Sequence, residues 1–295
     1  MGFLTTGIYH LFDYGLLQWL FDRNGITQEQ TSFAVLVGVG LLVCVLLSYL
    51  LGSVNFALVV SKLLFHDDVR QHGSGNAGAT NITRTYGKKA GVLTFLGDGL
   101  KGVVAIVIAC ALFGGLYPHL ITAAYLSAFI CIVGHVFPIF AHFHGGKGFA
   151  TTAMCIIVLN PFVALILLAI FMILVLGTKY ISLGSVFTAL FYPIFLSMFD
   201  QLQVPPYGPY GINVLFAFLI AALVTWAHRG NLKRIREGTE RRMGDKKKAV
   251  TQTVAAEPEE DTDEVDATES HADETSHRPQ PKSKKNQKKL KKGKK

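Results

Sequence analysis

The sequence predicts an all-α polytopic membrane protein with about seven transmembrane helices, and three observations predict it. Hydrophobic residues make up 51% of the 295-residue chain and only 16% are charged, with a mean hydropathy of +0.39; that is the composition of an integral membrane protein. Charge is segregated: 19 of the 28 Lys and Arg and 13 of the 20 Asp and Glu lie after His228. The formal net charge of +8 therefore belongs mostly to the tail and gives no reason to expect nucleic-acid binding by the folded part. Finally, apolar runs recur along the chain with short polar connections between them.

Taken in order, residues 3–21 are apolar and aromatic but interrupted by His10, Asp13 and Gln18, the pattern of an interfacial amphipathic helix. The stretch 33–65 reads as one long helix kinked near Gly52. Further runs at about 90–116, 119–141, 149–160, 162–178, 180–199 and 210–228 complete seven spans. The run at 149–160 is short for a crossing and ends at the Asn160-Pro161 turn. After Gly244 an acidic block at 257–274 and a Lys-dominated block at 282–295 offer nothing apolar to bury, so a disordered tail is expected. The organisation is then an extension at 1–31, a transmembrane domain at 32–244 and a tail at 245–295.

Lys and Arg set the orientation. The connections at 66–89, 142–148 and 179, with the segment after His228, are basic, whereas those near 117–118, 160–161 and 200–210 have no Lys or Arg. This predicts an outside N-terminus and a cytoplasmic C-terminus.

Three polar, cationic islands then share the cytoplasmic side. The first, HGSGNAGATNITR at 72–84, has three glycines among small polar residues. Glycine lets a backbone turn sharply and aim successive N–H groups at an oxyanion. Gly75, Asn76 and Asn81 are its candidate phosphate contacts, and Ser74 adds a hydroxyl. Arg84 can fork across two phosphate oxygens, which a lysine cannot do. In the second, HFHGGKG at 142–148, Gly145, Gly146, Lys147 and Gly148 lead into a helix whose N-terminus favours anions. The Walker spacing is missing. The third, HRGNLKR at 228–234, puts His228 and Asn231 three residues apart, on one face. Glu240, nine residues beyond Asn231, reads as a partner in a structural ion pair, and so do Asp98 and Lys101 at i, i+3.

Absences narrow the chemistry. The cysteines Cys44, Cys110, Cys131 and Cys155 fall in apolar runs without ligand spacing, as buried thiols do, and His135, His142 and His144 lack companions at metal-ligand spacing. There is no GxSxG elbow and no histidine followed five positions later by Asp, so neither a serine-hydrolase elbow nor the HxxxxD acyltransferase signature is present. An anion transporter is the rival reading. Breaks confined to one membrane face, no inverted half and hardly a charge at mid-helix argue against it.

The stretches LLGSVNFALVVSKL, DVRQHGSGNAGATNITRTYGKKAGVLTFLGDGLKG, GHVFPIFAHFHGGKGFAT, YISLGS and HRGNLKRIREGTE, in that order over roughly residues 50–240, closely resemble the PlsY family of bacterial membrane glycerol-3-phosphate acyltransferases. The resemblance implies seven helices with the N-terminus outside, in the bacterial cytoplasmic membrane. It implies transfer of a fatty acyl group from acyl-phosphate to the 1-hydroxyl of glycerol 3-phosphate, giving lysophosphatidic acid, with no metal or organic cofactor. By motif position Ser74, Arg84, Lys147, His228 and Asn231 match residues implicated in binding or catalysis; Ser182 and Ser185 of YISLGS are both candidates, and the sequence does not choose between them. Beyond the two substrates and membrane lipids, the resemblance leaves room for a soluble enzyme that makes acyl-phosphate as a partner. Deprotonation of the attacking hydroxyl could fall to His228 or to a substrate phosphate oxygen.

Overall fold

The computed structural model describes residues 11–200 and 211–245. Among them the chain is helical without strands. The 200–210 loop, apart from the backbone of Asp200, the first ten residues and the tail after Asp245 fall outside the described residues.

Of the amphipathic stretch expected at 3–21, residues 3–10 lie outside the described residues, and the rest contributes to helix α1 (Leu16–Asn24). Its Leu17 and Phe21 are buried, packed into the same core as Phe33, Val37 and Phe113, while Leu16 and Trp19 stay exposed. The helix thus docks on the bundle instead of only lying at an interface. The backbone seals this contact from both sides: Gly15 N donates to Gly114 O at 2.9 Å and Gly115 N to Phe12 O at 3.1 Å.

The stretch expected as one kinked helix is two, α2 (Thr31–Ser53) and α3 (Phe56–Phe65). The break falls just past Gly52, because Asn55 leaves helical geometry and its side chain accepts from Leu58 N at 3.1 Å, capping α3. A short helix, α4 (Ala79–Tyr86), follows the first island. Then come α5 (Lys88–Phe113), α6 (His119–Val136), α7 (Phe149–Leu159), α8 (Pro161–Thr178), α9 (Ile181–Asp200) and α10 (Ile212–Ala227). The chain does not stop at the third island: it bends by 53° into α11 (Arg229–Arg236), whose charge-rich sequence suits a surface helix.

Among the described residues five segments are long and apolar enough to cross a membrane, or six when α10 and α11 count as one broken span. The remaining apolar helix, α7, has 11 residues, against the ~20 that a crossing needs. Leu42, Leu46, Leu100, Leu176 and Phe218 are exposed, as apolar side chains that face lipid are. Inside, α2 and α6 meet through small residues. A Cβ on Gly52 would lie 2.2 Å from Cys131 O, and one on Gly134 would lie 2.5 Å from Tyr49 O; only glycine allows backbones so close. A second, smaller core of Ala57, Leu58, Val69, Ala77, Ile82 and Ala90 holds α3, α4 and the start of α5 together, and so fixes the first island against the bundle.

Candidate active site

The three islands, far apart in sequence, line one cavity of about 850 Å³. Its mouth is polar and cationic, with Ser74, Asn76, Arg84, Lys147, His228, Asn231, Arg234 and Arg241 on its wall. Its inner limb is apolar and runs along α7 and α8, past Phe149, Ala153, Ile157, Leu168 and Phe171 to Pro161 and Ala164. Next to the lining residue Pro161, Asn160 Oδ1 accepts from the hydroxyls of the buried Tyr125 and Tyr192, each at 2.8 Å. One end of the site therefore suits phosphate and the other a hydrocarbon chain.

The first island is a tight turn held from beneath. Asn81 is 2% exposed; its Oδ1 accepts from Ser74 N at 3.1 Å, and its Nδ2 donates to Val69 O at 3.1 Å and His72 O at 2.9 Å. Although Asn81 borders the cavity, its amide is engaged with the loop, so its part is to shape the turn. Ser74 is exposed at the mouth and Asn76 half-buried beside it. Gly75, with φ 69, supplies the turn and is not on the cavity wall.

In the second island α7 starts at Phe149, as the sequence predicts. Gly148, with φ 76, lets the chain enter the helix, whose first residues, Phe149 and Ala150, border the cavity; a helix N-terminus carries free N–H groups. Lys147 Nζ donates to Asn231 Oδ1, joining the second island to the third. Burial above all brings the Lys147 ammonium down from 10.5 to about 8; Glu240 works the other way, and Arg234 and Arg84 add to the fall. Gly145 and Gly146 lie behind the wall, where a Cβ on Gly145 would sit 2.0 Å from His135 O.

In the third island both His228 and Asn231 are buried. The His228 Nδ1 lies 2.8 Å from Val224 O, a carbonyl that can only accept. In the neutral ring this leaves Nε2 as the acceptor. Glu240 does more than pair. It accepts from Ser182 Oγ at 2.8 Å, Asn231 Nδ2 at 2.5 Å and Arg234 Nε at 2.7 Å. Burial pushes its carboxyl upward, but hydrogen bonds from Asn231, Ser182 and Arg234 outweigh it and leave the carboxyl below its ordinary value. Ser182 and Ser185 both reach the wall; Ser182 is tied to Glu240, whereas Ser185 Oγ donates to Ile181 O at 3.0 Å.

Glu240→Gln is accordingly expected to cost about 1–2 kcal/mol of stability, part of the charged hydrogen bonding being screened at half-exposed Arg234. Activity should fall with it, because one amide oxygen cannot serve Asn231 and Ser182 on one side and Arg234 on the other, and its NH2 would face the Arg234 donor. Thermal melting in detergent beside specific activity checks this; unchanged values in both would reduce Glu240 to a surface charge.

Asp98 and Lys101 are not at an interface. Their side chains are 1% and 3% exposed, 3.2 Å apart, and the third member of the cluster is His135 on α6, 2.9 Å from Lys101 Nζ. Asp98 and His135 reach the inner cavity wall. The i, i+3 spacing revealed the pair; His135 has no such signal.

A helical membrane bundle with a cationic, helix-capped mouth over an apolar limb is an enzyme-like site for a phosphorylated substrate and a lipid chain. The sequence model of the glycerol-3-phosphate acyltransferase family matches residues 42–238. A glycerol-3-phosphate acyltransferase of Clostridioides difficile (strain 630) is 39% identical over 208 residues, 70% of this chain and 97% of that protein. One from Paraburkholderia phytofirmans is 37% identical over 217 residues, 74% and 96% of the two chains. The crystal structure of PlsY, an integral membrane glycerol 3-phosphate acyltransferase, in its glycerol 3-phosphate form superposes with a TM-score of 0.61 at 36% identity, covering 69% of this chain and 96% of that one. This chain belongs to the glycerol-3-phosphate acyltransferase family and is a membrane-embedded acyltransferase.

Proposed function

We propose that the protein transfers a fatty acyl group from acyl-phosphate to the 1-hydroxyl of glycerol 3-phosphate, giving lysophosphatidic acid for phospholipid synthesis. The observation that carries this reading is the single cavity: two glycine-rich loops, the N-terminus of α7 and four cations, Arg84, Lys147, Arg234 and Arg241, surround one mouth above an apolar limb. Two phosphates and one acyl chain fill such a site; a single phosphorylated solute leaves the apolar limb without purpose. A PlsY crystal structure in its lysophosphatidic acid form, 35% identical with a TM-score of 0.59, supports the product.

Acyl-phosphate is a mixed anhydride with a good leaving group, so no covalent enzyme intermediate is required. The hydroxyl oxygen of glycerol 3-phosphate attacks the acyl carbonyl carbon, the carbon–oxygen bond to phosphate breaks, and inorganic phosphate leaves with the electron pair. The first island and the α7 N-terminus hold the phosphates, while Lys147 and Arg84 balance charge as it shifts onto the leaving group. Ser74 contributes a hydroxyl contact at the mouth. His228, in the tautomer that Val224 selects, offers Nε2 as acceptor for the hydroxyl proton, with a substrate phosphate oxygen as the alternative acceptor; Asn231 orients Lys147. Purified protein given a long-chain acyl-phosphate and glycerol 3-phosphate should form lysophosphatidic acid without added metal. Product from acyl-CoA but not from acyl-phosphate overturns the donor assignment.

The Lys and Arg bias of the connections supports a mouth on the cytoplasmic side of the bacterial inner membrane. Glu29 precedes α2, and Lys88 opens α5, at opposite ends of the predicted topology. The four native cysteines are buried and out of reach of an impermeant reagent, so the native protein serves as the background. On it, Glu29→Cys should react with an impermeant thiol reagent added to intact cells, and Lys88→Cys only after lysis. The reverse pattern inverts the topology.

A further inference from the structure

Lys101 is the centre of a buried polar cluster that touches both glycine-rich islands. Its Nζ donates to Gly52 O at 2.8 Å and Val54 O at 2.6 Å, the carbonyls exposed where α2 breaks before α3. The same nitrogen lies 2.9 Å from His135 Nδ1 and 3.2 Å from Asp98 Oδ1. Asp98 Oδ1 also accepts from Phe56 N at 3.1 Å, the first residue of α3. One ammonium and one carboxylate thus neutralise each other while fixing α3, α5 and α6 at the α2–α3 break.

From this cluster each island hangs by separate bonds. On the first, Asn55, between Val54 and Phe56, donates through Nδ2 to Ala77 O at 3.2 Å. On the second, Gly146 N donates to His135 O at 3.2 Å, and Thr151 Oγ1 on α7 donates to Asp98 O at 2.7 Å. Where the two islands meet, a Cβ on Gly146 would lie 2.2 Å from His135 Nε2 and 2.7 Å from Ala77 O. The Lys147 loop is therefore wedged between the His135 ring and the Ser74 loop, with no slack for a side chain.

We propose that Lys101, Asp98 and His135 are positioning residues that set the separation between the Ser74 loop and the Lys147 loop, and with it the distance between the two reacting groups. The inference rests on the acyl-transfer reading of this mouth. Asp98 and His135 border the cavity, but the role argued for all three runs through the loops they hold. Each phosphate keeps its own island when the cluster is broken, so binding should survive better than the chemical step, in which a misplacement of about 1 Å can cost 10²-fold. A buried ion pair kept for specificity of arrangement, more than for net stability, fits that role.

The experiment compares Lys101→Met, Asp98→Asn, Thr151→Val and the pair His135→Asn and His135→Leu in full-length protein. Each is assayed per folded molecule in the monodisperse gel-filtration peak, below its melting temperature. Asn keeps a polar group where Nδ1 stood; Leu does not. The expected result is a kcat about 30-fold lower for Lys101→Met and His135→Leu, with both KM values within about threefold. His135→Asn should recover most of that loss, and Thr151→Val, the mildest change, should lower kcat several-fold. Unchanged kcat per folded molecule in every variant that folds makes the cluster merely structural and overturns the proposal. So does a raised KM for one substrate at constant kcat, which would mean direct ligand contact. Should Lys101→Met not fold, the His135 pair and Thr151→Val decide the matter. A wild type inactive with acyl-phosphate would defeat the donor assignment alone; the variants are then compared with whichever donor sustains it.

Discussion

Lys147→Gln should lower kcat/KM by about 10³-fold, the loss expected when a cation facing developing charge is removed. The side chain is half-buried at the junction of two islands, and its ammonium is brought down to about 8. The sign follows from that value. Below about pH 8 the free enzyme carries the ammonium; above it the amine is neutral and loses its pull on phosphate. The kcat/KM profile should therefore fall as pH rises through about 8, well before an ordinary lysine at 10.5 would titrate. Lys147→Arg, which cannot deprotonate in this range, should flatten the alkaline limb whatever its absolute rate. An alkaline limb that persists unchanged in Lys147→Arg would assign it to another group.

Arg84→Lys should lower kcat/KM by about 10²-fold although the charge is kept. Among the described residues the Arg84 guanidinium makes one long hydrogen bond, Nη2 to Arg241 O at 3.5 Å, and it lines the mouth. Its remaining donors suit two oxygens of one phosphate, a geometry that a point ammonium does not reproduce. Separate KM measurements for the two substrates identify which phosphate it holds, because one should rise far more than the other. Kinetics like those of the wild type would take Arg84 out of the site.

Legibility in the sequence followed the range of the forces involved. The spans could be read because lipid imposes a continuous apolar length on each of them. The helix start at Phe149 and the turn at Asn160-Pro161 could be read because glycine and proline act locally. Composition suggests a kink near Gly52, whereas the cap at Asn55 sets the break after α2. Gly52 serves instead to let α2 lie against Cys131. His135 was invisible as a partner of Lys101 because 34 residues separate them and only packing of α5 on α6 brings them together. Glu240 was read as an ion pair, and its bond to Arg234 is one. Its contacts to Ser182 and Asn231 depend on the 53° turn into α11, which no periodicity in so short and charged a segment announces. Asn81 shows the converse: its place in the polar first island suggests a phosphate contact, and the fold uses its amide to build the loop.

The central claim is direct acyl transfer between two phosphorylated substrates at one mouth. The measurement that tests it most directly is phosphate release followed together with lysophosphatidic acid formation, from a long-chain acyl-phosphate in detergent, with and without glycerol 3-phosphate. The account predicts one phosphate released per lysophosphatidic acid formed, release that depends on glycerol 3-phosphate, and no initial burst in its absence. A burst equal to the enzyme concentration before glycerol 3-phosphate is added would show an acyl-enzyme, and product without released phosphate would show a different donor; either contradicts direct transfer at this site.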